Sequence, residues 1–459
     1  MTMDIAGKRA LVVGLGKTGE AVTGFLLARG ARVTVTESRP EAEIGRPAAR
    51  WRQEGVTLEA GGHRLESFLG ADLIVPSPGA SSLPELRAAK EAGIEVVSET
   101  ELAGRFLKGR VVGITGTNGK STTATLAHKI LKEAGLKSRL AGNIGTPLIS
   151  FVAASRDDHV YVTEISSFQL EHAEHFRAEV VVFLNISLNH IDWHGTFEDY
   201  FSAKKKLVRG QRAGDRLILN RDDRLVRPLA QETEAEVEFF SRRTPVRRGC
   251  FLREGRLMLR DEKTVPLMAA AEVRLPGRHN LDNVMAAALV GHAFGVSTAR
   301  LRTSIRSFKG LEHRLETVLT LGGVTFVNDS KATTVEAAIK ALESFDRKIV
   351  LILGGRDKGA DFSLLRGPVR KRVKTAVVIG EAAPKISAAL KGAVPLEETA
   401  RLRGAVTLAF AAAEPGDIVL LAPACTSFDM FKNFEDRGRA FKREVRRLED
   451  VVRGGKSRT

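Results

Sequence analysis

Arg110-Val111-Val112-Gly113-Ile114-Thr115-Gly116-Thr117-Asn118-Gly119-Lys120-Ser121-Thr122 is the stretch that decides how the chain reads. A short β-rich run, Arg110–Thr115, enters a glycine turn that opens a helical pattern. The backbone amides of such a loop can cradle phosphates, with Lys120 reaching the β/γ oxygens and Ser121 or Thr122 holding Mg²⁺. Its fit to GxxxxGK[ST] is imperfect, because Ile114 occupies the first position and Gly113 stands one residue early.

Upstream, Arg9–Val13 and Arg32–Glu37 are short β-rich runs around a helical pattern from Gly19 to Ala28, and Ala71–Val75 and Ile94–Val97 continue a parallel α/β sheet. Gly14-Leu15-Gly16-Lys17-Thr18-Gly19 lies between the first strand and its helix, with Glu37 ending the next strand. By itself this spacing points to a dinucleotide: glycines allow close backbone approach, the helix N-terminus attracts a diphosphate, and an acid accepts ribose hydroxyls. A bare glycine turn packing helix on sheet is the other reading. Glu99–Phe106 reads as a connecting helix.

Downstream, strand-like runs follow at Val160–Glu164, Val180–Asn185 and Arg216–Asn220, then short strands from about Val237 to Val273 and a helix at Leu281–Phe294. After Gly310-Leu311-Glu312-His313-Arg314 the alternation restarts with Val324–Asn328, Ile349–Gly354, Thr375–Ile379 and Ile418–Ala422. The fold class expected is α/β in three domains: a Rossmann-like sheet at 1–98, a P-loop ATPase-like α/β domain at 99–310 and a Rossmann-like α/β domain at 311–459.

The composition, 43% hydrophobic and 27% charged over 459 residues, is that of a globular chain with several cores. A net charge of +16 favours anionic partners. The Lys and Arg are scattered and only 6% of residues are aromatic, which argues against nucleic acid. Cys250 and Cys425 form no CxxC pair, so neither a disulfide framework nor a zinc site is indicated and a reducing cytoplasm fits. No apolar run resembles a signal peptide or reaches membrane-spanning length, so no membrane partner is expected.

Other polar groups stand where they could serve the phosphate loop. Glu164, in Thr163-Glu164-Ile165-Ser166-Ser167, ends a strand and could hold Mg²⁺, although an exposed strand-end acid would read the same. His190 and His194 suggest zinc, but no third ligand stands at the right spacing. Tyr200 and Lys204 share a helical face, and Lys204-Lys205-Lys206 alone would be a solvated basic run.

Taken in order, GTNGKST at Gly116–Thr122, Asn143-Ile144-Gly145, Glu164 with Ser166-Ser167, His190 with Tyr200 and Lys204, Gly277-Arg278-His279-Asn280 with Asn283, and His313-Arg314 resemble the Mur ligase family over essentially the whole chain. Asn328–Thr333, Gly354-Gly355 with Lys358, and Ala424–Asp429 with Lys432-Asn433-Phe434 are similar to its D-glutamate-adding members. The resemblance implies ATP-dependent amide formation between D-glutamate and UDP-N-acetylmuramoyl-L-alanine through an acyl phosphate, by a cytoplasmic monomer of peptidoglycan precursor synthesis. It also replaces the dinucleotide reading. Gly16, Lys17 and Thr18 are then expected on the UDP diphosphate and Glu37, Ser38 and Arg39 at the uridine end, with Asn143, Ser166 and His190 also on that substrate.

It further implies that Gly116, Thr117, Asn118, Gly119, Lys120, Ser121 and Thr122, with Asn280, Asn283, Arg314, Asp329 and Lys331, meet ATP. Thr333, Lys358, Ser427 and Phe434 would receive D-glutamate. Glu164, His190 and Lys204 would serve Mg²⁺ beside Ser121 and Thr122, Lys204 as a CO₂-derived carbamate; independently of the resemblance, the neighbouring charges of Lys205 and Lys206 are expected to lower the pKa of the Lys204 amine and supply the neutral form that carbamylation needs. Glu37-Ser38 stands where the family often has Asp-Thr, and Ala422 where it often has Ser; a carboxylate and a hydroxyl persist at the first pair. Arg356-Asp357 is a local variation of the turn that carries Lys358. An oxidoreductase using GLGKTG, a nucleotide-dependent switch, or a sister ligase for another amino acid or folate are the competing readings.

Overall fold

The computed structural model describes residues 4–80, 83–189 and 191–455. Its strands form three sheets. The first contains β1 (Arg9–Val13), β2 (Arg32–Glu37), β3 (Thr57–Ala60), β4 (Leu73–Pro76) and β5 (Glu95–Val96) in the order β3-β2-β1-β4-β5, all parallel. Val12 and Val35 bury into one core and Leu11 and Ile74 into another, the two-sided burial that parallel strands require. The order of connection reverses beside β1, so the glycine loop that follows it opens at the carboxyl edge of the sheet. A Cβ on Gly19 would lie 1.9 Å from the Gly14 carbonyl oxygen, so the helix Lys17–Leu27 can close on the strand only with glycine there.

The second sheet is built from β6 (Arg110–Thr115), β7 (Lys137–Gly142), β8 (His159–Glu164), β9 (Val180–Phe183), β10 (Arg216–Asn220), β11 (Glu236–Ser241), β12 (Gly249–Arg253), β13 (Arg256–Arg260) and β14 (Thr264–Ala269). Their order is β14-β13-β12-β11-β10-β9-β6-β8-β7. β6 sits between β9 and β8, at another reversal of connection, and the phosphate loop leaves its carboxyl end. Beyond β12 the sheet turns antiparallel through a two-residue hairpin in which Glu254 and Gly255 both have positive φ.

The third sheet holds β15 (Glu316–Leu321), β16 (Val324–Asn328), β17 (Ile349–Gly354), β18 (Val373–Ile379), β19 (Leu396–Glu398) and β20 (Ile418–Leu421), in the order β15-β16-β20-β17-β18-β19. β20 slots between β16 and β17, so the loops leaving these three strands are neighbours. Separate cores cover the two faces, one with Val327, Leu351 and Leu420, the other with Phe326, Ile352 and Phe441.

Most central strands fall where the hydrophobic runs placed them. Sequence reading omitted β3, β7, β15 and β19, and all four are edges. An edge strand needs no continuous apolar run, and Lys137-Ser138-Arg139 or Thr57-Leu58-Glu59 give none. The expected connector, here a helix at Glu99–Gly104, is buried from Glu99 to Ala103. Glu99 accepts from the Ile149 amide at 2.7 Å and Glu101 from the His175 amide at 3.0 Å, so the segment is a seam joining the first two sheets. By compactness the chain divides into 1–273 with 281–307, and 274–280 with 308–459. Among the described residues no helix is long and apolar enough to cross a membrane.

Candidate functional site

The phosphate loop is held from the strand beside it. Asn185, just past β9, accepts from the Asn118 amide at 2.8 Å and donates to the Asn118 carbonyl at 3.0 Å, while its own carbonyl accepts from the Thr117 amide at 2.9 Å. Thr117 Oγ1 lies 3.0 Å from the Tyr200 hydroxyl. Below the loop, a Cβ on Gly119 (φ 86°) would come within 2.2 Å of Asn283 Oδ1, so the turn and Asn283 pack directly. Lys120 Nζ donates to the Gly116 and Thr117 carbonyls, both at 2.9 Å, and thereby spans the mouth of the loop. Ser121 and Thr122 are buried at the N-terminus of the helix Lys120–Glu133. The loop thus presents a cation, two hydroxyls and a helix N-terminus together, the donor set a polyphosphate needs.

Glu164 ends β8, which pairs with β6. Asn143 Nδ2 donates to its Oε1 at 2.8 Å, whereas Oε2 is buried without a hydrogen-bond partner. A buried, half-satisfied carboxylate is costly unless a cation takes the second oxygen, so this residue fits a hard metal ion such as Mg²⁺. Among the described residues no three His, Cys, Asp or Glu side chains gather. His190 lies outside the described residues. His194 stacks on Phe168 and has Nε2 2.9 Å from Ser167 Oγ.

Lys204 lies on the helix Phe197–Arg209, only 1% exposed, with Nζ 3.3 Å from Thr115 Oγ1 and 5.0 Å from the centre of the Tyr200 ring. Burial, and then the charge of Lys120, hold its pKa well below the ordinary lysine value, with Glu164 opposing. The depression expected from Lys205 and Lys206 is not its source. Lys205 turns to Glu232 at 3.2 Å and Lys206 to the Glu171 carbonyl at 2.8 Å, because successive residues on a helix face different ways.

In the first sheet, Glu37 is buried and its carboxylate accepts from the Leu15 amide at 2.7 Å, the Arg39 amide at 3.1 Å and the Arg39 guanidinium at 3.0 Å. Burial alone would raise its pKa; the Arg39 guanidinium and the two amides outweigh it and bring it to about 2. The acid therefore braces the glycine loop against Arg39. Ser38 Oγ is 3.3 Å from Glu37 Oε1, Gly16 and Lys17 are exposed, Thr18 is half-buried, and Lys17 Nζ donates to the Gly145 carbonyl. Ser166 caps the helix Ser167–Glu171 in a reciprocal box with Gln169.

Of the expected amino-acid and nucleotide residues, Asp329, Lys331, Thr333, Lys358 and Ser427 lie on the loops leaving β16, β17 and β20 of the third sheet. Asp329 follows β16, accepts from the Leu315 amide at 3.1 Å, and is pushed by burial up to about 6 against the opposing charges of Arg314 and Lys331. Lys331 and Thr333 lie in the turn after it, with the Thr333 amide 2.9 Å from the Lys331 carbonyl. Lys358 is exposed in the loop after β17, Ser427 is buried in the loop after β20, and Phe434 opens the helix Phe434–Gly455 with its ring 6.4 Å from that of His313. Asn280 begins the helix Asn280–Ala293 and donates from Nδ2 to the Pro276 carbonyl at 2.6 Å. Sequence reading gave no role to Asn185, Thr115 or Arg437; their partners, Asn118, Lys204 and Ser330, are distant in sequence.

Three family descriptions match the chain: "Mur ligase MurD-like, N-terminal domain" at 8–98, "Mur ligase middle domain" at 114–291 and "Mur ligase, glutamate ligase domain" at 313–425. A UDP-N-acetylmuramoylalanine--D-glutamate ligase of Acidobacterium capsulatum is 47% identical over 444 residues, 96% of each chain. The protein of that name from Koribacter versatilis is 47% identical over 448 residues, 97% of this chain and 99% of the other. Among solved structures, the UDP-N-acetylmuramate-alanine ligase MurC of Thermotoga maritima superposes with a TM-score of 0.59 at 16% identity, covering 96% of this chain and 100% of that one. A pseudomurein peptide ligase type C from Methanothermus fervidus gives 0.56 at 18%, with 96% and 100% covered.

Proposed function

The chain belongs to the Mur ligase family, and from that premise we propose that it joins the amine of D-glutamate to the carboxylate of UDP-N-acetylmuramoyl-L-alanine at the expense of ATP. The observation that carries the chemistry is the grouping at the carboxyl edge of the second sheet. A phosphate loop with Lys120, a half-satisfied Glu164 and a buried Lys204 converge there.

A carboxylate is a poor acyl donor, because its charge repels an amine and oxide is a poor leaving group. Its oxygen therefore attacks the γ-phosphorus, ADP departs, and an acyl phosphate forms. The amine nitrogen then attacks the acyl carbon, phosphate leaves, and the nitrogen gives up its proton as the amide forms. Lys120 and the loop amides bind and orient the triphosphate and neutralise charge that accumulates during transfer. Ser121, Thr122, Glu164 and His190, with Lys204 as its carbamate, are the residues that would hold Mg²⁺, which when bound neutralises phosphate oxygens.

Lys204 is suited to carbamylation. A depressed pKa supplies the neutral amine that attacks CO₂, a proton is released, and the buried cation becomes an anion able to bind metal. By family resemblance Gly16, Lys17, Thr18, Glu37, Ser38, Arg39, Asn143, Ser166 and His190 meet the UDP substrate, Gly116–Thr122 with Asn280, Asn283, Arg314, Asp329 and Lys331 the nucleotide, and Thr333, Lys358, Ser427 and Phe434 D-glutamate. Residues 1–98, 99–310 and 311–459 then divide the work as UDP-binding, ATP-binding and amino-acid-binding parts of a cytoplasmic monomer. Phosphate release measured with UDP-N-acetylmuramoyl-L-alanine and D-Glu, L-Glu, L-Ala or diaminopimelate tests the assignment. Release with D-Glu alone is expected, and equal release with any other amino acid refutes the specificity.

A further inference from the structure

Arg437 is a cation with 0% of its surface exposed, on the first turn of the helix Phe434–Gly455. Its guanidinium makes a fan of hydrogen bonds to neutral acceptors. Nε donates to Ser330 Oγ at 3.0 Å, one terminal nitrogen to the Ser330 carbonyl at 2.9 Å, and the other to the Cys425 and Thr426 carbonyls, each at 3.1 Å. Ser330 passes the link back to the helix by donating from Oγ to the Phe434 carbonyl at 2.8 Å.

These acceptors sit on the loops leaving β16 and β20. The third loop, leaving β17, is drawn in through Thr426, whose carbonyl also accepts from the Arg356 amide at 3.0 Å and whose amide donates to the Arg356 carbonyl at 3.1 Å. One side chain thus ties together the three neighbouring loops. Thr333 lies three residues beyond Ser330, Lys358 two beyond Arg356, and Ser427 next to Thr426. Helical packing alone does not call for arginine here, since a buried cation is expensive and an apolar side chain of similar volume costs less. Among the described residues no carboxylate contacts the guanidinium; Asp429 influences it only at longer range, and burial brings its pKa down to about 10.

We propose that Arg437 is a positioning and specificity-determining residue of the amino-acid pocket: it clamps the loops carrying Thr333, Lys358 and Ser427 in register and places a fixed positive charge behind a site for a dicarboxylic amino acid. The proposal rests on the assignment of those residues to D-glutamate. The planar fork of arginine is needed because four acceptors on two loops lie around one side chain, and an ammonium cannot reach them all at once. The positive charge favours a ligand that brings two carboxylates and one ammonium, which is net anionic.

The test compares Arg437→Lys, Arg437→Gln and Ser427→Ala by steady-state kinetics, varying D-glutamate and ATP separately. Both Arg437 variants should raise the KM for D-glutamate about tenfold or more while the KM for ATP changes less than about twofold. Lys, which keeps the charge, should be the milder variant. An unchanged KM for D-glutamate, an equal rise for both substrates, or loss of the folded state in both Arg437 variants by circular dichroism overturns the proposal. Ser427→Ala separates the two layers. If it raises the D-glutamate KM while the Arg437 variants do not, the pocket stands and the clamp falls; if it leaves that KM unchanged, the pocket assignment itself is wrong.

Discussion

Asn143 donates its Nδ2 hydrogen to Oε1 of Glu164 at 2.8 Å and leaves Oε2 buried with no partner. The carboxylate is therefore aimed, with one oxygen fixed and the other offered. Asn143→Ala should free the carboxylate to rotate and raise the Mg²⁺ concentration needed for half-maximal activity by about 10- to 100-fold. Titrating Mg²⁺ at saturating ATP reads this directly, and an unchanged requirement removes Asn143 from the metal's support.

Lys120→Ala should lower turnover by about 10²-fold or more, because the positioned cation at the phosphate loop is gone. Multiple-turnover ADP release checks it. Wild-type turnover in this variant contradicts the phosphate-loop role.

Lys204→Ala should be inactive and partly restored by millimolar short carboxylic acids, which can occupy the space and supply the carboxylate that a carbamate would. Depleting CO₂ should slow the parent enzyme but not the rescued variant. Rescue failing in a folded variant, together with insensitivity of the parent to CO₂, counts against carbamylation.

Lys358→Ala should raise the KM for D-glutamate about 10- to 150-fold, the worth of one charge-assisted hydrogen bond, with some loss of kcat because the bond also orients the amine. Lys358 and the phosphate loop belong to different compact units, so the KM for ATP should hardly move. An equal rise for both would assign Lys358 to the nucleotide.

Asp329 carries a pH signature. Burial raises its pKa from 3.8 to about 6, so between those values the folded protein binds the proton more tightly than the unfolded chain. Its contribution to stability is therefore greatest below about pH 4 and declines as pH rises through about 6, by on the order of 3 kcal/mol in total. Asp329→Asn removes the titration. In urea unfolding, the stability of the variant relative to the parent should improve from pH 4 to pH 7, and a pH-independent difference rules out the shift.

The sequence alone determined the sheets' central strands, the two glycine loops and the phosphate-binding chemistry. These are local: strands buried on both faces must be continuous apolar runs such as Val180–Phe183, and a loop following a strand needs glycine wherever backbone approaches backbone, as Gly19 does at Gly14. Ordered motifs also carried the family resemblance, because residues of one site keep their sequence order even when they are far apart.

Tertiary structure decided what surrounds each of these groups. Edge strands such as β7 were illegible because one flank needs no strand partner and their faces can stay polar. Lys204 and Lys205 are adjacent and chemically identical in sequence, yet one is buried beneath the phosphate loop while the other pairs with Glu232 at the surface. Glu37 is a bare strand-end acid in sequence, and only the fold shows its carboxylate accepting from the Leu15 amide and the Arg39 guanidinium. Arg437 is one of many arginines in a basic helix, and only the folding of β16 and β20 side by side brings the carbonyls of Ser330, Cys425 and Thr426 around it. Burial and hydrogen-bond partnership set the charge state and the role of such groups, and both are properties of the assembled neighbourhood that the identity of a residue does not contain.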